Sequence, residues 1–173
     1  MPVLDGSFEA FVTNLGKYNE GELVGEWVHF PTTEEEMKKV FERIGIGSKD
    51  EFGQVYEEWF ITDYDCSIHG VSNLLGEYEN LDKLNYLAAR LDEMSRSELE
   101  HFVAIMDSGC DEVNDLDDLI IKLIQESAEV PFVEGFGGGN VLNVCLCLLQ
   151  GTFLDEFFKA IHSRYDIEKV GLS

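Results

Sequence analysis

The chain has 173 residues, of which 45% are hydrophobic, and it carries 35 acidic residues against 12 lysines and arginines, a formal net charge of −23. Nucleic acids and anionic membrane surfaces bind basic proteins, so this charge argues strongly against nucleic acid and disfavours an anionic membrane as direct partners. Aromatic residues make up 12%, too many for a disordered acidic tail, and the length supports one full-sized core or two to three small ones.

The charge is concentrated in the first three quarters of the chain. Residues 1–127 hold 29 acidic and 9 basic residues, whereas residues 128–173 hold 6 and 3. Self-repulsion of this size opposes folding, so the charge indicates either a high-salt environment or a working surface. The expected partners are cations or basic proteins.

The N-terminal part predicts a hairpin followed by a helix and a third strand. Residues 8–13 and 23–30 are typical of strands, with Trp27 and Phe30 as large residues of the second, and a polar turn with Gly16, Asn19 and Gly21 joins them. Pro31 ends the second strand. Residues 58–64 (EWFITDY) predict the third strand.

The helix after Pro31 has clear start and stop signals. Thr33 and Glu36 are spaced as a capping box, and Gly45 is placed to end the helix in a left-handed conformation. The helical stripe consists of Met37, Val40, Phe41 and Ile44.

Residues 66–127 read as helical. Residues 71–75 predict a short helix, and Leu81 opens an apolar stripe that runs to Leu91. A second capping box is expected from Ser97 and Glu100, and Asn114 is expected to cap a last acidic helix. In the tail, residues 135–139 break the pattern, residues 141–149 favour a strand or a buried helix, and residues 153–164 favour a helix.

These patterns predict an α+β fold of small domains in series, and the family resemblance described below implies that the chain of domains is elongated. The expected units are residues 1–65, a small antiparallel sheet with one packed helix; residues 66–110, a helical domain; and residues 111–173, an acidic helix followed by a mixed α/β domain. The start of the chain lacks a signal-peptide pattern, and no apolar run is long enough to span a membrane. Cys66, Cys110, Cys145 and Cys147 lack zinc or disulfide-framework spacing, so we expect free thiols and a cytoplasmic protein.

Catalytic motifs are weak in this sequence. The glycines of residues 135–139 invite a nucleotide-binding interpretation, but they lack the trailing Lys and Ser/Thr of a phosphate loop, which favours a linker. A metal site at Asp63, Asp65 and His69, or a calcium loop starting at Asp107, is outweighed by a solvated acidic surface, since the calcium pattern fails at Glu112. We therefore expect no cofactor, no metal and no enzyme activity.

Residues 14–27 are unusually specific in Gly, Asn and aromatic residues. Gly16 and Gly21 allow positive φ, Asn19 is expected to cap the turn, and Leu15, Leu23 and Trp27 are expected to pack beneath it, which describes a structural loop. The residues of this motif are Asn14, Leu15, Gly16, Tyr18, Asn19, Gly21, Gly25 and Trp27.

This segment resembles the opening of the ArdA-type antirestriction family, in which a strand is followed by N-L-G-x-Y-N-x-G-x-L-x-G-x-W. Phe30-Pro31 before an acidic helix, Ile44-Gly45, the aromatic strand 59–64 and the acidic helical segment 81–124 continue the resemblance over residues 10–127. The tail after about Ala128 departs from the family, whose members usually carry a third acidic domain there.

The resemblance implies a bent, elongated DNA mimic that binds type I restriction–modification enzymes in their DNA-binding groove, commonly as a homodimer, without binding nucleic acid or membranes itself. The alternatives are an acidic interaction module for another basic, DNA-binding protein and, more remotely, a hydrolase or metal enzyme. The expected phosphate-mimicking carboxylates are Glu20, Glu22, Glu26, Glu34, Glu35, Glu58, Asp63, Asp65, Glu77, Glu79, Asp111, Asp115, Asp117 and Asp118.

Overall fold

The structure, a computed structural model, describes residues 4–108 and 113–126. Its sheet has three strands, β1 at Phe8–Asn14, β2 at Gly25–Phe30 and β3 at Trp59–Cys66. Strand β1 lies in the centre and pairs antiparallel with both neighbours, so the order is β2-β1-β3. The small antiparallel sheet is therefore confirmed, although β2 begins at Gly25 rather than at residue 23, and β3 runs two residues past the predicted end.

One face of the sheet is covered, whereas the other is open around Glu9 and Phe11 but closed at the end of β1, where Thr13 is fully buried. Phe8, Ala10 and Val12 are fully buried along β1, because alternate side chains of a strand point to the same face. The predicted helix, α2 at Glu34–Arg43, contributes Met37 and other apolar residues to the same core. Residues of β1 that alternate with these point to the opposite face.

The ends of α2 largely follow the predicted signals. The Thr33 side chain accepts a hydrogen bond from the Glu36 amide at 3.2 Å, and Gly45 has a φ of +84°. The carboxylate of Glu36 binds Lys39 at 2.9 Å. The start and stop of this helix are thus confirmed.

The predicted polar turn between β1 and β2 contains a short helix, α1 at Leu15–Asn19. Asn14, not Asn19, is the cap, since its side chain accepts from the Lys17 amide at 3.0 Å. Gly16 does not have positive φ; it is required because a Cβ there would overlap the ring of Tyr56. Only Gly21 has the expected positive φ, +89°.

Two side chains expected to pack beneath this turn lie largely in solvent. Leu23 is 66% exposed and Trp27 is 44% exposed. The prediction for both residues was wrong because the hydrophobic pattern does not tell which face of a small sheet remains open.

The second part of the chain is helical, as predicted. A 3-10 helix at Ser72–Leu74 precedes α3 at Leu81–Glu93, α4 at Arg96–Ser108 and α5 at Leu116–Glu126. Helix α3 contacts both β2 and α5, and its apolar residues join those of the sheet in one hydrophobic core.

The predicted N-terminal caps of α4 and α5 were both wrong, because a neighbouring residue caps each helix. Helix α4 is capped by Ser95, whose hydroxyl accepts from the Glu98 amide at 3.3 Å while the Glu98 carboxylate accepts from the Ser95 amide at 2.7 Å. Helix α5 is capped by Asp115, which accepts from the Asp118 amide at 2.9 Å, and not by Asn114. In each case two candidate caps lie within a turn, and spacing alone did not choose between them.

Several predictions lie outside the described residues: the glycines of residues 135–139, the tail 128–173, Asp111, Cys110, Cys145 and Cys147. The domain boundaries stay predictions. Among the described helices, none has the length and apolar character needed to cross a bilayer.

Candidate acidic interface

The open face of the sheet carries carboxylates from two adjacent strands. Glu9 of β1 pairs in register with Asp65 of β3, and Phe11 pairs with Asp63. Since residues directly opposite each other lie on the same face, the three carboxylates are cross-strand or diagonal neighbours. The strands β1, β2 and β3 contain no Lys or Arg, so the sheet itself supplies no fixed positive charge to this face.

An aromatic pair lies in the same face. The rings of Phe11 and Trp27 meet edge to face, with centroids 5.3 Å apart and planes at 68°. Gly25 lies next to this pair, and a Cβ there would come within 2.6 Å of the Phe11 ring. The glycine therefore leaves room for Phe11 beside the indole.

A second group of carboxylates lines a cleft of about 380 Å³ beside α1. Glu20 and Glu58, both predicted, meet there with Asp50 and Glu57. The Tyr56 hydroxyl donates to both carboxylate oxygens of Glu20, at 2.9 and 2.8 Å. The cleft thus concentrates negative charge at one edge of the sheet.

Some predicted carboxylates already have a cationic partner within the chain. Arg43 binds both oxygens of Glu26, at 2.8 and 2.6 Å, and holds the pKa of that carboxyl below its ordinary value. The other such pairs are Lys17 with Glu20 and Glu22, Lys39 with Glu35, and Lys83 with Asp117.

Four predicted carboxylates are engaged with backbone amides, and one of them is Asp63, which accepts from the Tyr64 amide at 2.8 Å. Asp115 caps α5, Asp118 accepts from the Asn114 amide at 3.0 Å, and Glu79 accepts from the Gly76 amide at 2.8 Å. Negative charge at a helix N-terminus is stabilised by the helix dipole, so Asp115 and Asp118 contribute to folding.

Asp63 and the remaining predicted carboxylates make no ion pair with the described residues. They come from separate parts of the fold: the α2 N-terminus, the segment before β3, the open face of β3 and the loop before α3. We call these the unpaired carboxylates: Glu34, Glu58, Asp63, Asp65 and Glu77.

Glu9 was missed by the sequence prediction. It lies between buried Phe8 and Ala10 on β1, and its side chain is 42% exposed. The alternation of apolar and polar residues in the first strand would have placed it on the open face, beside Asp63 and Asp65.

The motif loop builds the corner that joins β1, α1 and β3. The Asn14 amide group donates to the Ile44 carbonyl at 3.0 Å, and the Leu15 amide donates to the Glu58 carbonyl at 3.0 Å. The Tyr18 ring packs on Phe60 with centroids 5.1 Å apart. These contacts fix the edge of the sheet where the acidic cleft opens.

Two titratable groups of β3, the Cys66 thiol and the Tyr64 hydroxyl, are held in their protonated forms. Burial raises the pKa of the Cys66 thiol to about 11 and also raises the pKa of Tyr64 well above its ordinary value. A thiol held protonated at neutral pH is a poor nucleophile. Within residues 4–108 and 113–126, no three or more His, Cys, Asp and Glu side chains come together in a way that would hold a metal ion.

The fold and this surface define an acidic α+β protein whose described residues present many carboxylates to solvent. The family model described as antirestriction protein (ArdA) matches residues 10–135. The chain therefore belongs to the ArdA antirestriction family, as the motif loop predicted. A search of curated proteins found no match. Membership implies a function in antirestriction and an interaction with restriction enzymes.

Proposed function

We propose that this protein inhibits type I restriction–modification enzymes by placing its carboxylates where the enzyme expects DNA phosphates. The observation that carries the proposal is the open sheet face, where Glu9, Asp63 and Asp65 lie together on strands without Lys or Arg. A DNA-binding groove is lined with cations that neutralise phosphates, and such a face is complementary to it.

The total charge is of the right size for this role. Duplex DNA carries one charge per roughly 1.7 Å of axis, so a net charge of −23 corresponds to roughly 12 base pairs. A homodimer would double this length, enough for a two-part recognition site. A rigid mimic that is already bent also avoids the cost of deforming DNA, on the order of 1–6 kcal/mol.

The first test is cleavage of unmodified DNA by a type I restriction enzyme with the protein titrated in at several salt concentrations. We expect stoichiometric inhibition that weakens steeply as salt rises, because each charge contact contributes a linear term in log salt. Inhibition that does not depend on salt would contradict mimicry, and so would a complete loss of inhibition from one Asp→Ala change.

The paired and unpaired carboxylates allow a matched comparison. One variant neutralises Glu34, Glu58, Asp63 and Asp65 to Gln or Asn; its control neutralises Glu20, Glu26, Glu35 and Asp117, which already have internal cations.

Both variants lose four negative charges, so long-range attraction weakens equally. The slope of log affinity against log salt concentration should become shallower mainly in the first variant, because this slope reports direct charge contacts. Single substitutions should change inhibition very little. Equal slopes in the two variants would show that the unpaired carboxylates are not the contact set.

A second candidate function is the binding of another basic, DNA-binding protein. The acidic cleft at Glu20 and Glu58 favours it equally, since the cleft is complementary to any cationic side chain. Binding assays with several type I enzymes and with an unrelated basic DNA-binding protein separate the two functions by the choice of partner.

A further inference from the structure

The open face of the sheet combines an exposed aromatic ring with carboxylates, and we call it the aromatic–acidic face: Glu9, Phe11, Trp27, Asp63 and Asp65. Trp27 is 44% exposed although it lies in the middle of β2. Phe11 packs against it edge to face at 5.3 Å. The indole is therefore held in a fixed orientation while much of its surface remains in solvent.

The strand register fixes where the carboxylates stand relative to the indole. Trp27 pairs with Phe11, and Phe11 pairs with Asp63. Glu9 lies two residues from Phe11 on the same strand, so it is a diagonal neighbour of both Trp27 and Asp63, at roughly 7–8 Å. A side chain lying on the indole therefore meets carboxylates within its own length.

The three strands that form this face contain no Lys or Arg. His29, the one basic side chain in the three strands, has its Nδ1 3.8 Å from the Glu9 Oε1 and is itself exposed. A Lys or Arg that neutralises Asp63 and Asp65 would have to come from outside the sheet. No ion pair within the described residues supplies one.

We propose that the aromatic–acidic face binds arginine side chains of a basic partner protein, with the guanidinium stacked on Trp27 and its N–H groups donating to Glu9, Asp63 or Asp65. This inference rests on the proposed function where the partner is a restriction enzyme. In that case, it identifies arginine as the side chain of the enzyme that this face binds. Arginine fits better than lysine because its planar guanidinium stacks on an aromatic ring while its fork of donors binds carboxylates.

A second copy of the chain fits this face poorly. A two-fold axis through the face would bring Glu9, Asp63 and Asp65 close to their own symmetry mates, and opposed like charges disfavour such a contact. A basic partner removes this repulsion. Charge complementarity therefore selects an arginine-bearing protein.

The test is an NMR titration of the full chain with deca-arginine and deca-lysine peptides of equal charge, following the Trp27 indole N–H signal, which is assigned from its absence in Trp27→Phe. We expect deca-arginine to bind about two- to five-fold more tightly and to shift this signal. Trp27→Leu should reduce the preference for arginine, because only the carboxylate contacts remain, whereas Trp27→Phe should keep most of it, since phenylalanine retains an aromatic face.

Two controls separate this site from general surface effects. Phe52→Leu changes an aromatic side chain that is 89% exposed but lies outside the sheet, so the preference for arginine should not change. Replacement of Asp63 and Asp65 by Asn should weaken deca-arginine binding more than the replacement of Asp92 and Glu93, which are exposed on α3, by Asn and Gln. Equal affinities for the two peptides in the unmutated chain would overturn the proposal.

A Trp27 indole signal that does not shift with either peptide would also overturn the proposal. In that case, a signal that depends on protein concentration would indicate that a second copy covers the face, and one that does not would indicate the rest of the same chain. The DNA cleavage assay, run in parallel, separates the two proposals. Inhibition without an arginine preference leaves the proposed function standing and removes the arginine site. An arginine preference without inhibition does the reverse.

Discussion

At the scale of single residues, Asn14 joins three parts of the fold through one side chain. It is fully buried, its oxygen caps α1 and its nitrogen donates to the Ile44 carbonyl behind α2. A buried amide satisfied on both sides is costly to remove because its partners then lose their hydrogen bonds.

We therefore expect Asn14→Ala to lower the free energy of unfolding by about 2–3 kcal/mol. The matched control is Asn80→Ala, which removes an exposed cap of α3 with a single hydrogen bond of 2.9 Å and should cost about 1 kcal/mol. Urea denaturation of both variants measures the difference. Equal losses would show that the bond to Ile44 contributes nothing.

The raised pKa of the Cys66 thiol makes the free energy of unfolding depend on pH in the alkaline range. This thiol has an ordinary pKa of 9.0 and a folded value of about 11, because burial disfavours the thiolate. As pH rises through this window the unfolded chain loses the proton first, so unfolding becomes more favourable.

Stability should fall between about pH 9 and pH 11, with Cys66 contributing up to about 3 kcal/mol of the loss. Cys66→Ala should show a shallower fall in urea denaturation over this range, while below about pH 8 the pH dependence of both proteins should be the same. Parallel curves for the two proteins at high pH would contradict the raised pKa.

At the scale of elements, the start of α4 is set by a reciprocal pair of hydrogen bonds between Ser95 and Glu98. Ser97 and Glu100 have the same spacing, but Ser97 lies inside the helix, and the Glu100 carboxylate instead binds Arg96 at 3.0 Å. The position of the helix start decides which serine can act as a cap.

Ser95→Ala should therefore destabilise the protein by about 1 kcal/mol, whereas Ser97→Ala should change stability by less than about 0.5 kcal/mol. Thermal or urea denaturation of the two single variants measures the contrast. A larger loss of stability from Ser97→Ala than from Ser95→Ala would indicate that Ser97 is the cap, as the spacing alone predicted.

At the scale of the whole molecule, the net charge of −23 acts in opposite directions on folding and on binding. Added salt screens the repulsion within the folded chain and, under the proposed function, also screens the attraction to a basic groove. One surface property thus couples stability and affinity with opposite signs.

We expect the melting temperature to rise as NaCl increases from about 0.05 to 0.5 M, while the affinity for a type I enzyme falls. Each kcal/mol added to the free energy of unfolding should raise the melting temperature by roughly 2–4 °C. Differential scanning calorimetry and the cleavage assay measure the two effects. A variant with the unpaired carboxylates neutralised should respond less in both assays. A melting temperature that falls with NaCl would mean that ion pairs outweigh the repulsion.

The sequence by itself determined the class of fold and the family. Periodicity placed the three strands, α2 and the central helices, because a regular apolar stripe survives in any context that buries it. The motif between Asn14 and Trp27 was specific enough to indicate the ArdA family, which the family model then matched. The excess of acid argued against nucleic acid as a direct partner before any contact was known.

Only the tertiary structure decided which side chains remain in solvent and which carboxylates are neutralised within the chain. Glu26 and Asp63 are both carboxylates within strands, and the sequence does not distinguish them. In the structure, Glu26 lies opposite Val12 and binds Arg43, while Asp63 lies on the open face. Asn85 is a buried polar residue of α3 whose oxygen accepts from the Thr32 amide at 2.6 Å, a link across 53 residues. Such pairings depend on how separate elements meet, and no local pattern in the chain encodes the distance between them.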